Sequence, residues 1–437
     1  MAEKKPAQPD YDAIVIGGGP SGVAYAITMS QGGHSVLVLE RDKFPRFHIG
    51  ESFLPYTADM LELLGVLDQM PGNGFPIKRG LDLIVPAGNR LVDLEITGAD
   101  GYRTWTYQVE RATFDKIMLD AAAEAPGVTV LEEASVKELM FDGERIVGVD
   151  YDHEGVSHSA TARYVVDASG RAGVIPRSLN LRATDSTLKM AAIFKHFEGL
   201  DERHNPAREG DTQIGVHEEG WMWAIPIRDD IISVGAMAPV EVLRNSTAQE
   251  VFDRSLARLP RIAERLTGTK VWHEIRGERN FEYHSDTLAG PGYFIVGDSG
   301  CFTDPVFSAG VYLALATGRR AALETRDILG GEKSEGAARY SYETFFKTGY
   351  ETYYRLIRAV YDTRHGVMGT YIRELLMSEG LGEKDRVLTL NGDFWNDANR
   401  LVLRLREHDE YALFAPFELN LGCPVYGKDG PPLRLPA

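Results

Sequence analysis

A strand-like run, Tyr11 to Ile16, leads straight into Gly17-Gly18-Gly19-Pro20-Ser21-Gly22 and then into an apolar-periodic stretch, Val23 to Gln31. A second strand-like run, Gly33 to Leu39, ends in Glu40. Strand, glycine turn, helix, strand and acid in this order form a βαβ unit shaped for a dinucleotide. Gly17 permits the tight turn, Gly19 lets backbone approach a pyrophosphate, and Gly22 allows close packing of helix on strand. Glu40 stands where a carboxylate accepts from a ribose hydroxyl. The first strand is rich in Ile and Val and hardly alternates, as a parallel strand covered on both faces should be. The expected class is therefore α/β, with a Rossmann-type nucleotide domain at its centre.

Composition narrows the remaining options. The 437 residues suggest two or three domains, and 43% apolar residues suit a globular chain. No apolar run reaches the ~18 residues of a membrane span, and Met1 to Asp10 lacks the apolar centre of a signal peptide. Two cysteines, Cys301 and Cys423, make no disulfide framework, which fits a cytoplasmic location. A net charge of −17 argues against nucleic acid as a partner. The 11 histidines show no metal-binding spacing, so no metal is expected.

Further along, Gly297-Asp298-Ser299-Gly300 follows an apolar run, Gly292 to Val296. The chain then passes through Phe302 to Gly310 into a helical stretch, Val311 to Asp327. A helix start offers unpaired N–H groups and partial positive charge, which favours an anion. On chemistry alone this is either a ligand-facing turn or an ordinary strand–helix connection. Between these pieces, Arg41 to Ser52 leads into a helical run, Leu54 to Leu67, and Arg111 opens another helix. Ala162 to Val166 reads as a strand closing on Asp167.

Residues 80–107 and 186–279 alternate apolar and polar positions, as in Thr212 to His217 and Ile231 to Met237. They are expected to form antiparallel strands with one face on a cavity. Trp221 and Trp223, two apart on such a strand, point to one face. Taken alone they are core or edge aromatics. Lys78 alone is a surface lysine.

The order of the nucleotide pieces resembles the FAD-binding core of flavin monooxygenases and their relatives, over roughly residues 10 to 330. By that resemblance Arg111 is expected near the flavin's pyrophosphate or ribityl chain, and Asp298 on the ribityl hydroxyls. Arg41, Ser52 and Gly310 join Gly17, Gly19, Gly22 and Glu40 among the expected cofactor residues. The segments about 10–79, 108–185 and 280–333 would make the cofactor core. Those about 80–107 and 186–279 would make an interleaved substrate sheet, and 334–437 a mostly helical cover.

Two signatures narrow the family. Trp221, Trp223, Ile225 and Pro226 form W-x-W-x-I-P, and Phe302, Pro305, Ser308 and Gly310 form F-x-x-P-x-x-S-x-G. Lys78, in Phe75-Pro-Ile-Lys-Arg-Gly80, stands where that family carries a lysine. The chain thus resembles a flavin-dependent halogenase. The resemblance implies that a partner reductase supplies reduced FAD, which reacts with oxygen to give a hydroperoxide. A halide, chloride or bromide, held by backbone near Ala309 and Gly310, attacks it to give hypohalous acid. Lys78 then passes the halogen to an electron-rich ring. The tryptophan halogenases of the family carry a glutamate just before the motif serine, and here that position is Phe307. The departure points to a phenolic or pyrrolic substrate, free or tethered to a carrier protein.

The rivals are a monooxygenase or flavin-linked reductase on the same scaffold, and a flavin-binding protein without turnover. The aromatic stretch Tyr340 to Tyr354 reads first as helix packing. Arg355, Arg358, Arg364, Arg373, Arg400, Arg404 and Arg406 are candidates for a basic patch facing an acidic carrier.

Overall fold

A computed structural model describes residues 8–85, 90–96, 103–202, 209–361, 392, 394–395 and 412–414. In chain order the strands and helices are β1 (Tyr11–Ile16), α1 (Pro20–Gln31), β2 (Val36–Leu39), α2 (Pro55–Leu63), β3 (Ile77–Lys78), β4 (Gly80–Val85), β5 (Arg90–Glu95) and β6 (Thr106–Tyr107). Next come α3 (Arg111–Glu124), β7 (Val128–Leu131), β8 (Ser135–Asp142), β9 (Arg145–His153), β10 (Val156–Asp167), α4 (Val174–Ser178) and β11 (Arg182–Glu198). The chain continues through β12 (Thr212–His217), β13 (Gly220–Arg228), β14 (Ile231–Pro239), α5 (Val240–Leu243), α6 (Ala248–Ala257), α7 (Pro260–Arg265) and β15 (Lys270–Ser285). It closes with β16 (Ala289–Gly290), β17 (Tyr293–Ile295), α8 (Gly310–Leu329) and α9 (Glu335–Tyr361).

The first sheet runs β16-β17-β10-β1-β2-β7, with β9 and β8 added as an antiparallel arm on β10. β1 pairs in parallel with both β2 and β10, and β10 with β17. Both faces of these strands are covered, which explains their continuous apolar runs. Ala13, Val15, Val36 and Val38 face a core shared with α1, α3, α8 and α9. Ile14, Ile16, Leu37 and Leu39 face a second core with Ile146 and Val149 of the arm.

The second sheet runs β15-β11-β14-β13-β12-β4-β5 and is antiparallel except where β12 meets β4. Period-2 alternation separates its faces. Ile193, Met222, Ala224 and Val234 pack under Phe252 and Ile262 of α6 and α7. Phe194, Trp221, Trp223 and Met237 line the opposite face. Helices α5 to α7 interrupt a stretch that its alternation alone assigns to strands. The signal for α6 lies in a capping box, where Thr247 and Glu250 satisfy each other's backbone.

Other boundaries shift for local reasons. α1 begins at Pro20 because Gly19 is an extended N-cap and proline at the first helical position loses no needed N–H. β2 covers only the last residues of the expected second strand, and α2 ends at Leu63. The basic positions Arg364, Arg373, Arg400, Arg404 and Arg406 lie outside the described residues, as does Cys423. Among the described residues no helix is long and apolar enough to cross a membrane.

α8 lies against α1, and the approach is close enough to need glycine. A Cβ on Gly318 would come 2.1 Å from the Ser21 carbonyl oxygen. Alanine improves helix propensity by about 1 kcal/mol, whereas overpacking costs about 1–3 kcal/mol or more, and a backbone oxygen has little room to yield. Gly318→Ala is therefore expected to lower the apparent Tm, measured by thermal unfolding. An unchanged or raised Tm would show that α8 can slide on α1.

Candidate functional site

The glycine turn has the shape its sequence demands. Gly17 adopts φ +106, and a Cβ there would sit 2.5 Å from the Ala168 carbonyl oxygen. One on Gly22 would sit 2.1 Å from the Gly17 oxygen. Gly19 is open, and the nearest atom to its would-be Cβ is Arg46 Nη2 at 3.7 Å. No side chain caps the start of α1, so its first N–H groups are available to an anion. Glu40 is buried and accepts from the backbone N–H groups of Gly18 at 2.7 Å and Asp42 at 2.8 Å. It braces the turn from below.

Arg41 lies at the surface beside Asp42 and does not join this group. Arg46 does, held at 3.2 Å by the Asp115 carboxylate. Its recruitment depends on the fold of the 44–52 loop, which no spacing rule announces. Arg111, at the first position of α3, grips Asp115 through two bonds of 2.8 and 3.0 Å and donates to the Ile49 carbonyl at 2.7 Å. Burial acts to raise the Asp115 carboxyl, but the guanidinium of Arg111, with His48 and Arg46, holds it below the usual range.

Asp298 sits on the short turn after β17, half-buried. Burial pushes its carboxyl up to about 6, with Arg171, Arg111 and Arg182 pulling the other way. The Tyr283 hydroxyl donates to the Asp298 backbone carbonyl at 2.6 Å, and no described residue donates to its carboxylate. A carboxylate so placed fits hydroxyl donors from outside the chain. With the open glycine turn and the bare start of α1, this donor and acceptor set fits a dinucleotide.

Lys78 is buried on β3, which pairs with β6. Its Nζ donates to Ser52 Oγ at 2.8 Å and to the Phe53 carbonyl at 3.1 Å. Ser52 Oγ in turn lies 3.2 Å from Thr212 Oγ1, which accepts from Gln108 Nε2 at 2.8 Å. Ser52 thus turns toward the lysine. Burial pushes the Lys78 ammonium down to about 8, against an opposing pull from Asp211.

The two motifs face each other across the seam between the sheets. Trp221 and Trp223 share one buried face, with ring centroids 5.8 Å apart. Pro226 continues β13 opposite Ile232. Phe302 pairs backbone with Tyr283, and the Arg171 guanidinium lies 4.8 Å above its ring. Pro305 is exposed. Its carbonyl accepts from Ser308, which adopts φ 57. Ala309 is the N-cap of α8 and Gly310 its first residue, open to solvent. The Ala309 N–H meets the Tyr353 hydroxyl. Phe307 packs on the main core.

Most of the aromatic stretch on α9 is packing, since Tyr342, Phe345, Phe346, Tyr350 and Tyr353 are buried while Tyr340 is exposed. Arg355 pairs with Glu351, and Arg358 with Glu282, so these two serve internal contacts and form no docking patch. Cys301 is buried, its thiol pushed up to about 12 by burial.

The tryptophan halogenase family model matches residues 12–84 and 93–401. The chain is 33% identical to a tryptophan 2-halogenase of Chondromyces crocatus, over 80% of this chain and 67% of that protein. It is 29% identical to a 1H-pyrrole-2-carbonyl-(peptidyl-carrier protein) chlorinase of Pseudomonas fluorescens, over 80% and 84%. A triple mutant of the flavin-dependent brominase Bmp2 superposes with a TM-score of 0.81 at 26% identity, covering 92% of this chain and 99% of that one.

Two outcomes test this geometry. The Lys78 ammonium is disfavoured in the fold, so below pH 8 the folded protein bears the full cost of its charge, and the cost fades between about 8 and 10.5. Lys78→Met should raise the apparent Tm at pH 7, with the gain shrinking as pH rises through that window. A pH-independent difference would mean the ammonium is well solvated. Asp298→Ala should weaken FAD binding about tenfold to a hundredfold, the worth of a hydrogen bond to a charged group. Flavin titration reads this, and unchanged affinity would remove Asp298 from the cofactor site.

Proposed function

The chain belongs to the tryptophan halogenase family of flavin-dependent halogenases, and from that premise we propose that it is a two-component halogenase acting on a phenolic or pyrrolic ring. A separate reductase supplies reduced FAD, in keeping with the single glycine fingerprint, and the ring is free or tethered to a carrier protein. The cofactor core, the interleaved sheet and the helical cover divide the work between flavin and substrate. Gly17, Gly19, Gly22, Glu40, Arg46, Arg111 and Asp298 would hold the FAD. When bound, reduced FAD supplies the electrons by which oxygen, halide and a proton become hypohalous acid and water.

The chain's own residues do the rest. The start of α8 presents the Gly310 backbone N–H and partial positive charge to the halide, beside Ala309, whose own N–H is held by the Tyr353 hydroxyl. Lys78 receives the hypohalous acid, either by hydrogen bond from its ammonium or by exchange on its neutral amine. In the exchange an N–H hydrogen is replaced by halogen and water leaves. The ring then takes the halogen and gives its hydrogen to the nitrogen, which restores the amine. With its pKa near 8, Lys78 populates both protonation states at neutral pH. Trp221 and Trp223 form an apolar wall for a flat ring.

The observation that carries this reading is Lys78, a buried amine brought down to about 8 by burial and held by Ser52 and the Phe53 carbonyl. Phe307 supports the phenol or pyrrole branch over free tryptophan, because an activated ring has less need of a carboxylate base. The substrate named for the Chondromyces relative is kept as a rival in the test.

Mass spectrometry of product from the protein with FAD, reductase, NADH and oxygen tests the proposal. Phenol, pyrrole and tryptophan substrates, free and carrier-bound, are offered with chloride, bromide or neither. A halogen isotope pattern only in the presence of halide is expected, and Lys78→Ala should still bind FAD and consume oxygen but lose at least 99% of product, about 3 kcal/mol or more of barrier. Oxygen insertion regardless of halide would establish a monooxygenase instead. Halogenation of tryptophan alone would overturn the substrate class, and product from Lys78→Ala would remove the lysine from the mechanism.

A further inference from the structure

The halogenase reading leaves unexplained why the Trp221 segment and the Phe302–Gly310 segment occur together. One side chain from a third element joins them. The indole Nε1 of Trp221 lies 2.7 Å from the Tyr361 hydroxyl, and that hydroxyl lies 2.9 Å from Asp304 Oδ2. The polarity of this chain is forced. An indole N–H can only donate and a carboxylate can only accept, so the phenol accepts from the first and donates to the second.

Asp304 is fully buried, and its other carboxylate oxygen accepts from the Val306 backbone N–H at 3.0 Å. Its carbonyl accepts from the Tyr353 hydroxyl at 2.6 Å. Both tyrosines stand on α9. From Asp304 the loop turns through Ser308 into the start of α8. Val306 packs on both the main core and the tryptophan-bearing face, so this loop is the seam itself. Burial holds the Tyr361 phenol well above its ordinary pKa, with Asp304 adding to the effect, so the proton that bonds Asp304 stays in place.

We propose that Tyr361 is a positioning residue that ties Trp221 of the substrate sheet to Asp304, and so fixes the backbone that receives halide at the start of α8. The proposal rests on the halogenase reading for its functional half. Its structural half, the tie itself, stands independently. The ring wall and the halide loop are then one unit, and loosening either end loosens both. Beside this tie, Glu282 accepts from Thr303 Oγ1 and from Arg358, and its charge also acts on the Tyr361 phenol.

The test uses the full chain with Tyr361→Phe, Trp221→Phe and the double variant. Each single change keeps an aromatic ring and removes one link, so if one fails to fold the other still reads the tie. Amide hydrogen exchange of residues 302–310, the halide KM and the FAD affinity are measured together. Each single variant should speed exchange in that segment and raise the halide KM about tenfold, as loss of a hydrogen bond anchored on a carboxylate predicts. FAD affinity should be unchanged, and the double variant should be no worse than either single one.

Additive effects in the double variant, or unchanged exchange, would overturn the tie. Faster exchange with an unchanged halide KM in an active halogenase would overturn its role at the halide site. Loss of FAD affinity in step with halide KM would mean general loosening and overturn the positioning role. A wild-type protein that makes no halogenated product, while both variants speed exchange, would sink the halogenase reading and leave the tie standing.

Discussion

Burying the Lys78 ammonium is the constraint from which the rest of the site follows. An unpaired buried cation is expensive, and it is tolerated only where acceptors surround it or its charge is partly given up. Lys78 does both. Ser52 and the Phe53 carbonyl accept from it, and its pKa falls toward neutrality. For those acceptors to be in place, the 46–53 segment must be pinned. Arg111 pins it at Ile49 and Gly50. The buried pair of Glu51 and His196, 2.6 Å apart, pins it to β11. The same clamps carry Arg46 toward the glycine turn, so the lysine and the nucleotide site share one set of supports.

The parts legible in the sequence are those set by local rules. The glycine turn, its flanking strands and the start of α8 are dictated by backbone sterics and short-range periodicity, and the structure follows them to within a few residues. The two motifs were legible as patterns, and Trp221 and Trp223 do share a face because strands alternate. What the sequence could not give is anything that depends on which distant segments meet. Ser52 could be placed in a nucleotide-proximal segment but not against Lys78. Arg46 and Tyr361 carry no spacing signal at all, since their partners lie 69 and 57 residues away along the chain. Helices α5 to α7 lie within strand-like alternation, and only the Thr247–Glu250 box marks α6 in the sequence. Arg355 and Arg358 read as a basic patch along the sequence, but Glu351 and Glu282 engage them in the fold.

Phe307 brings these threads together. A carboxylate at that position would stand on the loop that Asp304 already anchors, against the same apolar core that Phe307 now covers. Burying a second acid there would add a desolvation cost beside Asp304 and Glu282, and like charges in one site push pKa values up. The chain places an apolar ring there and keeps its titratable amine on β3, held by Ser52 and the Phe53 carbonyl. In the reading we favour, proton transfer then falls to Lys78, whose pKa near 8 suits an acid and a base alike. Under that proposal the site suits electron-rich rings, whose halogenated intermediate loses its proton readily. Under the same proposal, the apolar Phe307 and the lowered pKa of Lys78 both suit an activated ring.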